Sequence, residues 1–307
     1  MNPAWSVVLF TTLAGAAQGL VVTLALAELA AVPMSTGFLT DALALAVVLL
    51  LAALVASTFH LGRPARGWRA VAMWRTSWLS REVIVLPAFI AVCALWWLAL
   101  RVGWDRSWLP LAALVLAAAL WLCTAMIYAC VRFIQEWAQP LTLVNFTLIG
   151  LSSGLVLACA LAAWQQQHAL LLAAAPVALI LTLAAGATRI AALRHNAALR
   201  PKSSLQSATG IGTPQLKQMA MGMTGGTFNT REFFHGRTPA LLRQVKGAFL
   251  LLGFVLPALL LAWGLAAESS WPWWLAPALQ LPGLIAERWF FLAQANHPQN
   301  LYYQAVS

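Results

Sequence analysis

The sequence predicts an all-α integral membrane protein, with about eight transmembrane helices in a bundle of two four-helix halves. Of its 307 residues, 62% are hydrophobic and only 8% are charged, whereas a soluble domain carries roughly 25% charged residues. The apolar residues gather into eight runs, each near the length of about 20 residues that crosses a bilayer as a helix. The runs are continuous rather than alternating, which favours helices over a transmembrane barrel.

The predicted spans belong to a single polytopic membrane domain covering residues 1–307. They lie at residues 5–27, 38–59, 83–100, 109–131, 141–163, 169–190, 247–266 and 271–291. No basic residue precedes the first run, so we predict a retained helix rather than a cleaved signal peptide. Ser80 is the predicted N-cap of the third helix, with Glu82 in its first turn. The eighth span ends at Glu287 and Arg288, which we place at the membrane interface.

Basic residues are distributed unequally between the two sides of the predicted bundle. The 60–82 loop carries five Arg and the 189–246 stretch carries nine Lys or Arg, whereas the other side has only Arg101 and Arg106. We call the side that holds the 60–82 loop and the 189–246 stretch the charged side. The positive-inside rule predicts that both termini and both long loops are cytoplasmic. The net charge of +10 is therefore assigned to orientation and to anionic membrane lipids, and not to nucleic acid.

One long polar loop, residues 191–246, interrupts the hydrophobic pattern. It is rich in Gly, Ser and Thr, and a loop of this length is usually functional or disordered. Within it, Phe233 and Phe234 are adjacent aromatic residues that would be costly to leave in water. We interpret the loop as a partner-docking segment, with Arg231, Phe233, Phe234 and His235 as the contact residues.

The segment from His60 to Glu82 contains most of the chemically active side chains. Within 23 residues it holds one His, one Glu, five Arg and three Trp. Gly62 and Pro64 end the second helix just after His60, so His60 and Glu82 should lie at adjacent helix ends. An imidazole and a partly desolvated carboxyl can both exchange protons near neutral pH. The pair could thus serve a lipid-soluble quinol at the membrane edge.

A structural interpretation of the same pair stays open. In it, His60 caps the second helix, while Glu82 forms an ion pair with Arg81 or Arg63. The residue types alone do not separate this interpretation from a quinol site.

Two stretches carry a resemblance to a known family. The pattern His60-Leu61-Gly62-Arg63-Pro64 followed by Trp74-Arg75-Thr76-Ser77-Trp78-Leu79-Ser80-Arg81-Glu82, together with Phe228-Asn229-Thr230-Arg231-Glu232-Phe233-Phe234-His235-Gly236, resembles the membrane-anchor subunit of the dimethyl sulfoxide reductase family. The eight-helix layout and the chain length are similar to that family as well.

The resemblance implies a function and a set of partners. Anchors of that family hold a molybdopterin catalytic subunit and an iron–sulfur electron-transfer subunit on the membrane. They bind menaquinol, or by extension ubiquinol, and pass electrons to the iron–sulfur subunit in anaerobic respiration. The family's quinol residues match His60 and Glu82, with Arg63 and Arg81 as neighbours. Arg66, Arg69 and Arg75 of the same loop are then expected to contact the partner or lipid.

The chain itself is predicted to hold no haem, iron–sulfur cluster or molybdenum. The four cysteines, Cys93, Cys123, Cys130 and Cys159, lie in apolar spans and form no C-x-x-C pair. None of the five His lies in the middle of a span, where axial haem ligands would be expected. Electrons should therefore pass directly from quinol to a partner, which places the quinol site and the docking surface on one side.

Other functions and roles remain compatible with the sequence. A secondary transporter and a purely structural scaffold are the two alternatives, although the spans carry few of the mid-membrane charges typical of transporters. Among isolated polar residues, Gln18 is expected to form a helix–helix hydrogen bond. Glu136 is expected to pair with Arg132 at a helix end, and Tyr128 is a candidate hydrogen-bond donor to a quinone carbonyl.

Overall fold

The computed structural model describes residues 1–59, 61–220, 228–267 and 269–302, and no strand occurs in this part of the chain. The helices are α1 Trp5–Leu29, α2 Thr36–Thr58, α3 Trp78–Val102, α4 Leu109–Ala129, α5 Pro140–Trp164, α6 His168–Ala198, α7 Leu205–Thr209, α8 Phe228–Glu232, α9 Pro239–Leu250, α10 Leu256–Ala266 and α11 Trp271–Ala293. Two 3₁₀ helices lie at Pro64–Met73 and Pro298–Tyr302, and a π-helical turn, Leu251–Val255, joins α9 to α10.

Seven helices in the described residues are long and apolar enough to cross a membrane, with Pro239–Ala266 counted as one helix. The eighth predicted span, α11, has 23 residues but carries the charges of Glu287 and Arg288. The Met1 amino group donates hydrogen bonds to the carbonyl oxygens of Ala293 and Ala295, at 3.1 and 2.8 Å. The start of α1 and the end of α11 therefore lie on the same side of the bundle. Such an arrangement requires an even number of crossings, so α11 is the eighth.

The eight crossings form two rings of four helices. In the first ring, α1 packs on α2, α2 on α3, α3 on α4, and α4 on α1. In the second, α5 packs on α6, α6 on α10, α10 on α11, and α11 on α5. The rings meet most closely along α1 and α5. The predicted two four-helix halves are thus observed.

Glycine allows α1 and α5 to approach each other at van der Waals distance. Gly15 and Gly19 of α1 face Gly150 and Gly154 of α5, and a methyl group at Gly19 or Gly154 would overlap the backbone of the opposite helix. Both pairs have the four-residue spacing of the small-xxx-small motif, which permits close packing between helices in membranes.

The start of α3 differs from the prediction. The N-cap is Ser77, whose hydroxyl accepts a hydrogen bond from the Ser80 amide at 3.3 Å. Ser80 is therefore inside the helix, and the prediction that it caps α3 was wrong. Arg81 explains the earlier start, because its guanidinium donates to the carbonyl oxygens of Trp74 and Arg75 and holds the preceding turn in place. Glu82 then falls in the second turn of α3 rather than the first.

The polar loop is shorter than the predicted segment 191–246. Helix α6 continues to Ala198, and α9 already begins at Pro239 with Thr238 as its N-cap. The 31 residues of α6 span about 46 Å, whereas the hydrocarbon core is about 30 Å thick. Because α6 starts at the opposite side, its last turns project beyond the membrane on the charged side.

Of the two hydrogen-bond or ion-pair predictions for isolated polar residues, one is confirmed and the other is wrong. Gln18 donates to the Ala117 carbonyl of α4 at 3.1 Å, which confirms the predicted helix–helix hydrogen bond. Glu136 lies in a non-helical connection and accepts a hydrogen bond from Asn296 at 2.9 Å. The predicted pair with Arg132 was therefore wrong, because residues 132 and 136 are not on a common helix.

Candidate functional site

Glu82 is a buried carboxyl close to the charged side. It lies four residues after the start of α3, about 6 Å along the helix axis, and only 5% of its surface is exposed. The Thr124 hydroxyl of α4 donates a hydrogen bond to one of its carboxylate oxygens. Glu82 forms no ion pair with any described residue. A carboxyl with a single neutral partner is not locked in its charged form, and it is therefore suited to taking and releasing a proton.

The two arginines next to the predicted site do not contact Glu82. Arg81 turns toward the preceding loop, where its guanidinium also stacks over the Trp78 ring at 4.2 Å. Arg63 is the exposed N-cap residue of the first 3₁₀ helix. Within the described residues, the ion pairs of Glu82 with Arg81 or Arg63 are therefore not formed. His60 lies outside the described residues, so its position relative to Glu82 stays a prediction.

An aromatic cluster separates Glu82 from the second ring. Tyr128 lies one turn beyond Thr124 on α4, and its ring packs against Trp137, Phe146 and Phe291 at centroid distances of 5.1 to 5.5 Å. The candidate site therefore borders the second ring through this cluster.

A buried ionic cluster on α6 and α11 was not predicted from the sequence. The Nε atom of Arg189 lies 2.6 Å from Glu287 Oε1, and the Nε atom of Arg288 lies 3.5 Å from Glu287 Oε2. All three residues are at most 4% exposed, so Glu287 and Arg288 face the inside of the bundle, and their depth at the membrane interface stays a prediction. The long α6 brings Arg189 alongside α11, and Arg288 instead packs over Phe146 at 3.9 Å. Ionisable groups inside membrane bundles are functional candidates by default, and this rule would have identified the cluster.

Polar residues continue above and below the ionic cluster at intervals of seven residues. Toward the membrane centre, Gln280 donates to the Ser152 hydroxyl at 3.1 Å, and Ser152 shares a hydrogen bond with Thr182 at 2.8 Å. Toward the charged side, Gln139 donates to Asn196 at 2.8 Å. Since seven residues are about two helical turns, these layers form one polar column between α5, α6 and α11.

A cleft of about 560 Å³ opens on the charged side above this column. Its walls come from the connection between α4 and α5, the end of α6 with the residues that follow, and the segment after α11. The lining residues are Phe133, Gln135, Glu136, Asn196, Leu199, Arg200, Pro201, Lys202, Ser203, Asn296, His297, Pro298, Asn300 and Leu301.

The predicted docking residues lie partly against the chain itself. Phe233 stacks on His297 at a centroid distance of 3.9 Å, and its carbonyl oxygen accepts from Asn300 at 3.2 Å. The Asn2 amide donates to the Glu232 carbonyl at 2.8 Å. These contacts hold the segment beside the cleft, where Arg231 stays exposed and Phe234 and His235 are half-buried.

The arginines of the first loop remain on the surface. Arg66, Arg69 and Arg75 are all exposed on the charged side, in and after the first 3₁₀ helix. Their predicted contact with a partner or lipid stays a prediction.

Comparisons with known proteins show the family to which the chain belongs. A sulfite dehydrogenase subunit of Allochromatium vinosum is 44% identical over 326 aligned positions, covering 100% of both chains. The model of the family described as "DMSO reductase anchor subunit (DmsC)" matches residues 1–262, which is most of the chain. The eight-helix membrane protein described above therefore belongs to the dimethyl sulfoxide reductase anchor-subunit family, the membrane anchors of molybdoenzyme complexes.

Proposed function

We propose that this anchor binds menaquinol or ubiquinol beside Glu82 and passes its electrons to an iron–sulfur subunit docked on the charged side. The observation that carries the proposal is the Glu82 carboxyl, buried near the membrane edge with Thr124 as its hydrogen-bond partner. A quinol diffusing in the bilayer can reach a site at this depth, and a released proton has only a short path to water.

Quinol oxidation needs acceptors for two protons and for two electrons. Oxidation of one quinol to quinone breaks two O–H bonds. One proton passes to the Glu82 carboxylate and the other to the His60 imidazole, both of which can accept a proton near neutral pH. The two electrons leave one at a time to the iron–sulfur clusters of the partner, which in turn supplies the molybdopterin catalytic subunit. Tyr128, one turn beyond Thr124 on α4, is the candidate hydrogen-bond donor to a quinone oxygen.

The resulting assembly is a respiratory complex on the inner membrane. Its iron–sulfur and catalytic subunits sit on the charged side, which the positive-inside rule assigns to the cytoplasm. Arg63 and Arg81 border the site, and Arg66, Arg69 and Arg75 add to the basic surface that faces the partner or the lipid headgroups.

The reverse direction is a second candidate, and the similar protein favours it. That protein is a subunit of a sulfite dehydrogenase, a name for an enzyme that removes electrons from sulfite. In that direction, quinone accepts two electrons from the partner's clusters and two protons from Glu82 and His60. Sulfite-dependent quinone reduction by the purified complex would establish this direction, and quinol-dependent reduction of an oxide would establish the first.

The test of the site is Glu82→Gln in the complete complex. We expect quinol or quinone turnover to fall by about 100-fold, in the range of general acid–base contributions. Activity with a soluble dye that exchanges electrons directly with the partner subunits should stay unchanged. The control is Asp41→Asn, which removes an exposed carboxyl from α2 on the opposite side. Full quinone-linked turnover in Glu82→Gln would refute the site, and the anchoring role would survive.

A further inference from the structure

The cleft on the charged side is a polar site that the quinol chemistry does not use. We propose that it receives an extended segment of the electron-transfer subunit that carries an acidic side chain. This inference rests on the proposed function, because it takes the docked subunit as the occupant.

The position of the cleft favours a protein over a lipid. Asn196 lies 28 residues after His168, the first residue of α6, about 42 Å along the axis, and Leu199 to Ser203 follow it outward. The headgroup region adds only about 5 to 8 Å on each side of the hydrocarbon core. The cleft therefore opens at or beyond the headgroups, where a docked subunit reaches it from the water.

The charges around the cleft favour an acidic segment. Arg200 and Lys202 line its wall, and the buried cluster below it contains two arginines and one glutamate. Glu136, the lining carboxylate, already accepts a hydrogen bond from Asn296. The cleft thus has an excess of positive charge, which attracts a carboxylate and steers its approach.

The cleft also adjoins the segment that was predicted to dock a partner. His297 lines the cleft and stacks on Phe233, so the two features form one continuous surface. A partner that covers residues 231–235 would pass directly over the cleft opening.

The first experiment places a photo-crosslinking amino acid at Leu199 in the complete membrane complex. We expect a crosslink to the electron-transfer subunit, and none from the same probe at Trp104, which is 57% exposed on the opposite side. Crosslinks from Leu199 to lipid alone, or to the catalytic subunit alone, would overturn the proposal.

The second experiment measures association between the anchor and the electron-transfer subunit. The double variant Arg200→Glu with Lys202→Glu should weaken the complex by 10-fold or more. The matched control is Arg101→Glu with Arg106→Glu, an equal change of charge on the opposite side of the bundle, and it should weaken the complex by less than 3-fold. Equal losses of association in the two double variants would mean that only the net charge matters, and they would refute a specific binding cleft.

A further measurement distinguishes a failure of the cleft proposal from a failure of the quinol-site proposal. Binding of a quinone analogue to the purified anchor should be the same with and without the Arg200 and Lys202 substitutions. Lost partner association with intact quinone binding supports the cleft. Lost quinone binding in these variants means that they disturb the bundle, and it would contradict the assignment of these side chains to docking.

Discussion

At the scale of single residues, the buried charges of this bundle fall into two kinds. Glu82 is held by a neutral hydroxyl from Thr124, whereas Glu287 lies between two guanidinium groups. The first arrangement suits a group that gains and loses a proton. The second suits a permanent counter-ion that allows Arg189 and Arg288 to be buried. The surroundings of each carboxyl therefore indicate its task more clearly than the residue type does.

The second arrangement leads to a stability prediction for Glu287→Gln. The substitution leaves two buried arginines without a counter-ion, and breaking such a cluster costs about 3 to 5 kcal/mol. We expect a large loss of folded protein in thermal unfolding followed by size-exclusion chromatography. The double variant Arg189→Gln with Glu287→Gln should recover part of the loss, because it removes one charge of each sign. A wild-type unfolding midpoint in Glu287→Gln would show that the cluster contributes nothing.

A pH dependence is expected where the 228–235 segment contacts the rest of the chain. Burial, and next the nearby Met1 amino group, lower the pKa of His297 below its usual 6.5. Packing of the 228–235 segment against His297 therefore favours the neutral imidazole. This packing stabilises the segment fully above about pH 6.5, and the stabilisation is lost as the pH falls through the lower pKa of the folded state.

Hydrogen exchange can measure this effect at the Asn2 amide, which donates to the Glu232 carbonyl. After correction for intrinsic rates, its protection should be higher at neutral than at acidic pH. His297→Gln should remove the difference, and amides in the middle of α11 should show none. Equal protection of Asn2 at both pH values would contradict the prediction.

Some residues of the site could be predicted from the sequence, and others could not. Sequence reasoning selected Glu82 because a carboxyl near a helix start beside arginines is visible locally. It did not find Thr124 or the pairing of Arg189 with Glu287, because these depend on which faces of α4, α6 and α11 turn inward. The seven-residue spacing of Gln280 and Glu287, repeated in Thr182 and Arg189, was readable and would have indicated a polar column. The role of His60 stays a prediction.

At the scale of helices, the contact between α1 and α5 joins the two rings. We predict that Gly154→Ala destabilises the protein by about 1 to 3 kcal/mol, because the added methyl group overlaps the backbone of α1. The matched control is Gly247→Ala on α9, where nothing lies within 4 Å of the added methyl group. There the higher helix propensity of Ala should stabilise by up to about 1 kcal/mol. Thermal midpoints that move in the same direction for both variants would contradict the packing argument.

The spans themselves were predictable because long apolar runs are a local property of the chain. The error at the start of α3 arose because Ser77 and Ser80 are both good caps, and only the tertiary position of Arg81 decides between them. Hydropathy gave no sign that α6 continues to Ala198, because its last turns are polar and project from the membrane. The glycine spacings in α1 and α5 were visible, but their pairing depends on the ring arrangement.

At the scale of the whole molecule, the proposed orientation can be measured directly. In a Cys130→Ser background, which removes the exposed cysteine, Ser107→Cys should react with an impermeant maleimide on intact spheroplasts. Ser207→Cys, at an exposed position outside the cleft, should react only after the membrane is opened. The expectation follows from the excess of Lys and Arg on the charged side. The opposite labelling pattern would place the charged side in the periplasm.

The π-helical turn between α9 and α10 has a consequence for the seventh crossing. A π turn holds one residue more than the regular helix, so it rotates everything after it by about 100°. Here the turn brings Gly253 against Gly283 and its carbonyl within 3.4 Å of the Gln280 amide. Deleting one residue, such as the exposed Leu251, would remove that rotation. Helix α10 would then turn a different face toward α11, and the Gln280 amide would lose its hydrogen bond to the Gly253 carbonyl.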